Sequence, residues 1–204
     1  MRKSIVLFFV TLLTICFMES SFAFSKDDLK QLLDTRKCEG CDLSFVNLEF
    51  MNLKDVDLRR ANLKGAQLSS AYLTGADLSD AILESAVLID AELKNTKLIG
   101  ATLERANLTR AGLFGADLSG ALLNKSYAVN ADFKSARLKN ARFEYANLFL
   151  ADFSAADLEN TIFRNAYLRK ASFIESKASG TVFDGATWID CSVCKQGSLG
   201  RCLH

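Results

Sequence analysis

The chain has 204 residues, half of them hydrophobic, with 25 basic and 24 acidic side chains and no proline. Such a composition admits one domain whose core needs no metal or cofactor, and its charge balance does not advertise a nucleic-acid partner. The one histidine is the terminal His204, which argues against most His-dependent triads and metal sites.

Arg2 and Lys3 precede a mostly apolar run at 5–17. Ser21-Phe22-Ala23 puts small residues at the two positions a signal peptidase reads, so residues 1–23 read as a signal peptide cleaved after Ala23. The apolar run is shorter than the roughly 20 residues a membrane span needs, so no stable span is expected after cleavage. Cys16 follows Ile15, which disfavours lipoprotein cleavage there. Without residues 1–23 the chain holds 23 basic and 23 acidic residues and is electrically neutral. The expected location is the periplasm or the exterior, where disulfides are permitted.

Residues 24–40 read as an N-terminal cap. Ser25 can cap a short helix that ends near Thr35, Asp27 and Asp28 suit its positive end, and Leu29, Leu32 and Leu33 give it one apolar face.

A five-residue repeat then fills positions 41–190 with thirty frames and no insertion. Leucine stands at every fifth position from 43 to 123, and Leu or Phe continues the series from 133 to 183. Only Ala128, Ala178 and the last member, Trp188, depart. A small residue, usually Ala, sits two positions earlier, as at Ala61, Ala66 and Ala71. Period five fits neither an α-helix nor a flat strand. A chain that turns a corner every five residues would point every one of these residues inward. Four corners make a coil of twenty residues, and stacking at about 4.8 Å per coil makes a column about 36 Å long.

Ala61-Asn62-Leu63-Lys64-Gly65, Ala76-Asp77-Leu78-Ser79-Asp80 and Ala116-Asp117-Leu118-Ser119-Gly120 resemble the A(D/N)LxX motif of the pentapeptide repeat family. The resemblance covers the whole repeat. It implies an all-β fold, a right-handed quadrilateral β-helix, here with a short N-terminal capping helix. It implies little about activity, because the family is defined by its scaffold.

An unbroken frame places residues twenty apart above one another. The wall centred on Leu58, Leu78 and Leu98 carries mixed charges outward, including Asp77, Lys97, Asp117 and Arg137. The wall centred on Leu48, Leu68 and Leu88 differs, for its outward positions include Val87, Ile89, Tyr127, Val129, Phe149, Tyr167 and Ile189. The neighbouring wall adds Ile82, Leu122, Ile162 and Val182, interrupted by Arg142 and Arg164. These seven residues are the candidate interaction face, although β-branched and aromatic residues also suit strand positions as such. Phe143, Phe163 and Phe183 stack on one wall and Phe133, Phe153 and Phe173 on the opposite one, as core filling.

Cys38-Glu39-Gly40-Cys41 and Cys191-Ser192-Val193-Cys194 are both C-x-x-C, with Cys202 behind the second. A column about 36 Å long keeps the two pairs from sharing one zinc, and neither has the βαβ setting of a thioredoxin site. End-capping is the better reading, since a solenoid exposes an unpaired edge at each end. Cys38–Cys41 would tie the first cap. Trp188 and the tail at 191–204 would close the other end through a disulfide within the C-terminal trio. The spacing from Cys194 to Cys202 resembles tails of exported family members, which implies Cys194–Cys202. Cys191 is then free, exchanging with Cys194, or bridging two molecules.

No Gly-rich phosphate loop or convergent catalytic cluster stands out, so an enzyme is not expected. The expectation is a non-catalytic interaction or scaffold module outside the cytoplasm, with an unknown protein partner, scope for a homodimer, and no cofactor. The alternative is the DNA-mimicking, topoisomerase-interacting role that the family resemblance allows. A neutral, exported chain disfavours it, because mimicry needs an acidic surface in the cytoplasm.

Overall fold

The computed structural model describes residues 24–190 and 192–203. The expected signal peptide lies outside these residues, as do Cys191 and His204.

Helix α1 (Lys26–Thr35) starts at Ser25, whose hydroxyl accepts the Asp28 N–H at 3.1 Å. It stops at Arg36, which adopts a left-handed conformation and donates its N–H to the Leu32 carbonyl. Leu32 is buried, and Phe24 and Leu29 pack against the same core. Two bonds dock the helix start on the column: Ser25 N–H to the Asp42 carbonyl at 3.0 Å, and Asp42 N–H to Asp28 Oδ2 at 2.7 Å. The helix thus covers the first coil with the face its leucine spacing makes apolar.

The ladder starts one frame ahead of the sequence repeat. Its first rung pairs Lys37 with Asp57, and parallel rungs then join every second frame position to the residue twenty later, up to Tyr167 with Thr187. Each rung is a single bridge, so the walls are narrow ribbons rather than multi-residue strands. Every fifth residue from position 40 to 185 has a positive φ, between 54° and 72°. The N–H that follows closes the corner, as Ala61 does on the Leu58 carbonyl at 3.1 Å. This is the pattern of a type II turn. We number the walls in chain order by their inward centres: wall I on Leu43 and Leu63, wall II on Leu48 and Leu68, wall III on Leu53 and Leu73, and wall IV on Leu58 and Leu78.

The motif follows from where the N–H groups go. In the frame after Ala61, the Leu63 and Gly65 N–H groups bond to the next coil, Asn62 and Gln67 bond to the previous one, and Ala66 closes the turn. Only the fourth position lacks a backbone acceptor. The Asn62 side chain accepts that N–H, from Lys64, at 3.2 Å, and Asp77 does the same for Ser79 at 3.1 Å. An Asp or Asn before the centre therefore completes the accounting for the frame.

Inside, the leucine centres and the alanines are buried almost without exception. In the later coils phenylalanine replaces leucine on walls I and III. Phe133, Phe153, Phe173 and Trp188 stack with centroid separations of 4.8, 5.2 and 5.4 Å. Phe143, Phe163 and Phe183 stack opposite at 5.2 and 5.4 Å, and the two columns meet edge to face. Where Thr replaces the small Ala, its hydroxyl reaches a carbonyl of the coil below, as Thr161 does on Leu138 at 2.8 Å.

The last coil ends differently. The tail reverses and pairs antiparallel with it, Val193 against Thr187 and Leu199 against Val182. Ser198 N–H is held by Asp184 at 2.9 Å, and the Cys194–Cys202 disulfide closes the tail on itself. At the other end, the Cys38–Cys41 disulfide spans the first corner. Cys38 occupies the inward centre of wall IV one coil below Leu58, and both its sulfur and that of Cys41 belong to the core cluster.

Candidate functional site

Wall IV answers its own charges. Lys97 meets Asp77 at 3.3 Å, Arg137 meets Asp117 at 3.0 Å, and Lys139 meets Glu159 at 2.9 Å, each pair one coil apart. Burial pushes the Asp77 and Asp117 carboxyls up, but bonds from Ser79 and Ser119 and these cations outweigh it, leaving both below the usual carboxylate value. On wall I, the hydrogen bond from Arg142 holds Glu144 low against the effect of burial, with Arg164 adding to it. Such walls present paired, solvated charge.

Wall II presents something else. Tyr127, Asn147 and Tyr167 are successive rungs of its ladder. Tyr127 is 55% exposed and Tyr167 36%. Phe149 lies beside them, its ring 6.1 Å from that of Tyr167, and Lys170 Nζ sits over the Phe149 ring, 6.0 Å from its centroid, as a cation–π partner. Val129 is half-buried in the coil below. These four, Tyr127, Val129, Phe149 and Tyr167, are brought together. Val87 and Ile89 are half-buried and separated from them by the coil that carries Asn107 and Thr109, and the exposed Ile189 is separated by Arg169.

Reading outward positions beside each centre misses the corners. Tyr145, 60% exposed, and Leu150, 42% exposed, flank the cluster at the two edges of wall II. Their frame position was the available signal, because the left-handed corner residue projects its side chain away from the column. One corner also holds an open pocket of about 230 Å³, lined by Glu104, Arg105, Asn124, Lys125, Glu144 and Tyr145. Asn124 knits its floor, donating to Glu104 at 3.2 Å and accepting the Glu144 N–H at 3.0 Å. Among the described residues no group of His, Cys, Asp and Glu could hold a metal ion, and no helix is long and apolar enough to cross a membrane.

A family model described as Pentapeptide repeats matches eight copies over residues 41–80, 86–124, 116–154 and 151–187. The chain belongs to the pentapeptide repeat family. Solved pentapeptide repeat structures resemble it. QnrB1, a plasmid-mediated fluoroquinolone resistance protein, aligns with a TM-score of 0.51 at 14% identity, over 69% of this chain and 78% of its own, and shares the fold. HetL, a pentapeptide repeat protein involved in heterocyst differentiation regulation from the cyanobacterium Nostoc, is 26% identical with a TM-score of 0.40, over 77% and 86% of the two chains. Rfr23 from the cyanobacterium Cyanothece is 27% identical with a TM-score of 0.29, over 78% and 98%. A search of the curated proteins finds no significant match.

Proposed function

We propose that this pentapeptide repeat protein is a non-catalytic interaction or scaffold module acting outside the cytoplasm, and that wall II is its contact face. The column is taken to be right-handed and four-sided, as the family resemblance implies. The observation that carries the reading is the cluster of Tyr127, Val129, Phe149 and Tyr167, exposed or half-buried on a wall whose rungs pair with the coils above and below. A rigid wall displays side chains at fixed spacing and loses little conformational entropy when it binds. Disulfides at both ends support an oxidising compartment. The many Asp, Asn and Ser side chains bonded within their own frames, such as Asp117 with Ser119 at 2.6 Å, are engaged in holding turns.

The test replaces Val129 and Phe149 together with Ser and compares oligomeric state and the molecules captured by cross-linking in the native compartment. Loss of a captured species or of self-association is expected. An unchanged profile in a variant that folds normally would count against wall II.

A further inference from the structure

Wall II and its two corners span residues 105–110, 125–130, 145–150 and 165–170 in four successive coils. These segments contain Arg105, Arg110, Lys125, Arg169 and Lys170, and no carboxylate. The chain as a whole is balanced, so this is a local segregation of charge. Arg110 is answered from the coil below by Asp90 at 2.6 Å. Arg105 and Lys125 meet no carboxylate within ion-pair distance among the described residues. Across their corner stand two carboxylates, Glu144, already held by Arg142 and Arg164, and Glu104, which accepts from Asn124 at 3.2 Å. Interleaved with these cations stand Tyr127, Tyr145, Phe149, Leu150 and Tyr167.

The geometry points to an anionic phospholipid surface as the partner of wall II, an inference that rests on wall II being the contact face. Three features favour a bilayer surface over a peptide. A peptide needs a groove or a free sheet edge, and the rung N–H groups of this wall, such as Tyr127 on Ala106 and Ala128 on Asn147, are spent on neighbouring coils. The exposed aromatic residues are mostly tyrosines, which suit a boundary that is apolar on one side and wet on the other. Arg105 and Lys125 lie at one edge of the aromatic strip and Arg110 and Lys170 at the other, where headgroup phosphates would sit while the rings enter the interface. The wall presents this pattern over about 15 Å along the column, since four stacked coils are separated by about 4.8 Å each. Binding of this kind is peripheral and falls with ionic strength.

The test floats the full chain, its N-terminus read by mass spectrometry, with vesicles of phosphatidylglycerol in phosphatidylcholine and with vesicles of phosphatidylcholine alone. The expected result is flotation with the anionic vesicles only, released by raised salt, and weakened at least tenfold in Arg105→Glu/Lys125→Glu. Tyr127→Ser should weaken it less, and Arg137→Gln on wall IV should leave it unchanged. A retained hydrophobic leader would give salt-resistant flotation that all variants share, which overturns the inference. So does a wild-type chain that ignores anionic vesicles, or a folded double variant that binds like wild type. If vesicle binding fails while the Val129/Phe149 variant still loses a cross-linked protein, the lipid inference falls and the contact face stands. If neither changes, both fall.

Discussion

At the residue scale, one position breaks the rule that the column otherwise keeps. Ser126 occupies a small inward position usually held by Ala, and among the described residues its hydroxyl is the one buried side-chain polar atom without a partner. The threonines at equivalent positions, Thr96, Thr161 and Thr181, each find a carbonyl within 2.8 Å. A buried unsatisfied hydroxyl costs about 1–3 kcal/mol. Ser126→Ala is therefore expected to raise stability in urea unfolding by about 1 kcal/mol, whereas Thr161→Val is expected to lower it. The carboxylates make a second prediction. Asp77, Asp117, Asp152 and Glu144 have pKa values lowered in the folded column. A depressed folded pKa gives stability that is present above the unfolded value and is lost as protons bind the folded state. The midpoint of unfolding should thus be flat near neutrality and fall as pH drops below about 4, the ordinary carboxylate range. Part of this was legible in the sequence. The alternating charges of wall IV could be paired by counting twenty residues, but Arg142 with Glu144 lie in one frame and emerged only from the structure.

At the element scale, the caps do unlike jobs. Helix α1 covers an end with an apolar face, and the tail continues the ladder in the opposite direction. The periodic leucines made the coil readable, and Ser25 with two following acids made α1 readable. The reversal of the tail was not readable, because 192–203 carries no repeat and its direction depends on tertiary contacts such as Asp184 with Ser198. The candidate face was readable in part, for the period sorted Tyr127 and Phe149 onto one wall, but reading only the positions beside each centre left out the protruding corners Tyr145 and Leu150. Replacing Cys194 and Cys202 with Ser should loosen the tail and expose the edge that Val182 and Thr187 now share with it. Unpaired edges recruit other chains. Sedimentation velocity should show concentration-dependent association in that variant, with the wild type as reference. If the variant sediments as the wild type does, the ladder pairing holds the tail without the disulfide.

At the scale of the whole molecule, stability is a sum of coils and of the interfaces between them. Each coil contacts only its neighbours, so unfolding should begin where packing is least complete, at the last coil, where Phe173 and Trp188 are only partly buried. The stacked rings of the later coils oppose that fraying, since large aromatic side chains bury more area than the leucines they replace. The twenty-residue register has a consequence for length changes. Adding or removing twenty residues would lengthen or shorten the column and leave every wall's chemistry aligned. Adding five would instead turn everything downstream by a quarter revolution, carrying Tyr127 and Phe149 away from Val87 and Ile89 without disturbing a single inward leucine. The fold is thus a combination lock, indifferent to such a shift in its core while its outer pattern survives only at whole turns.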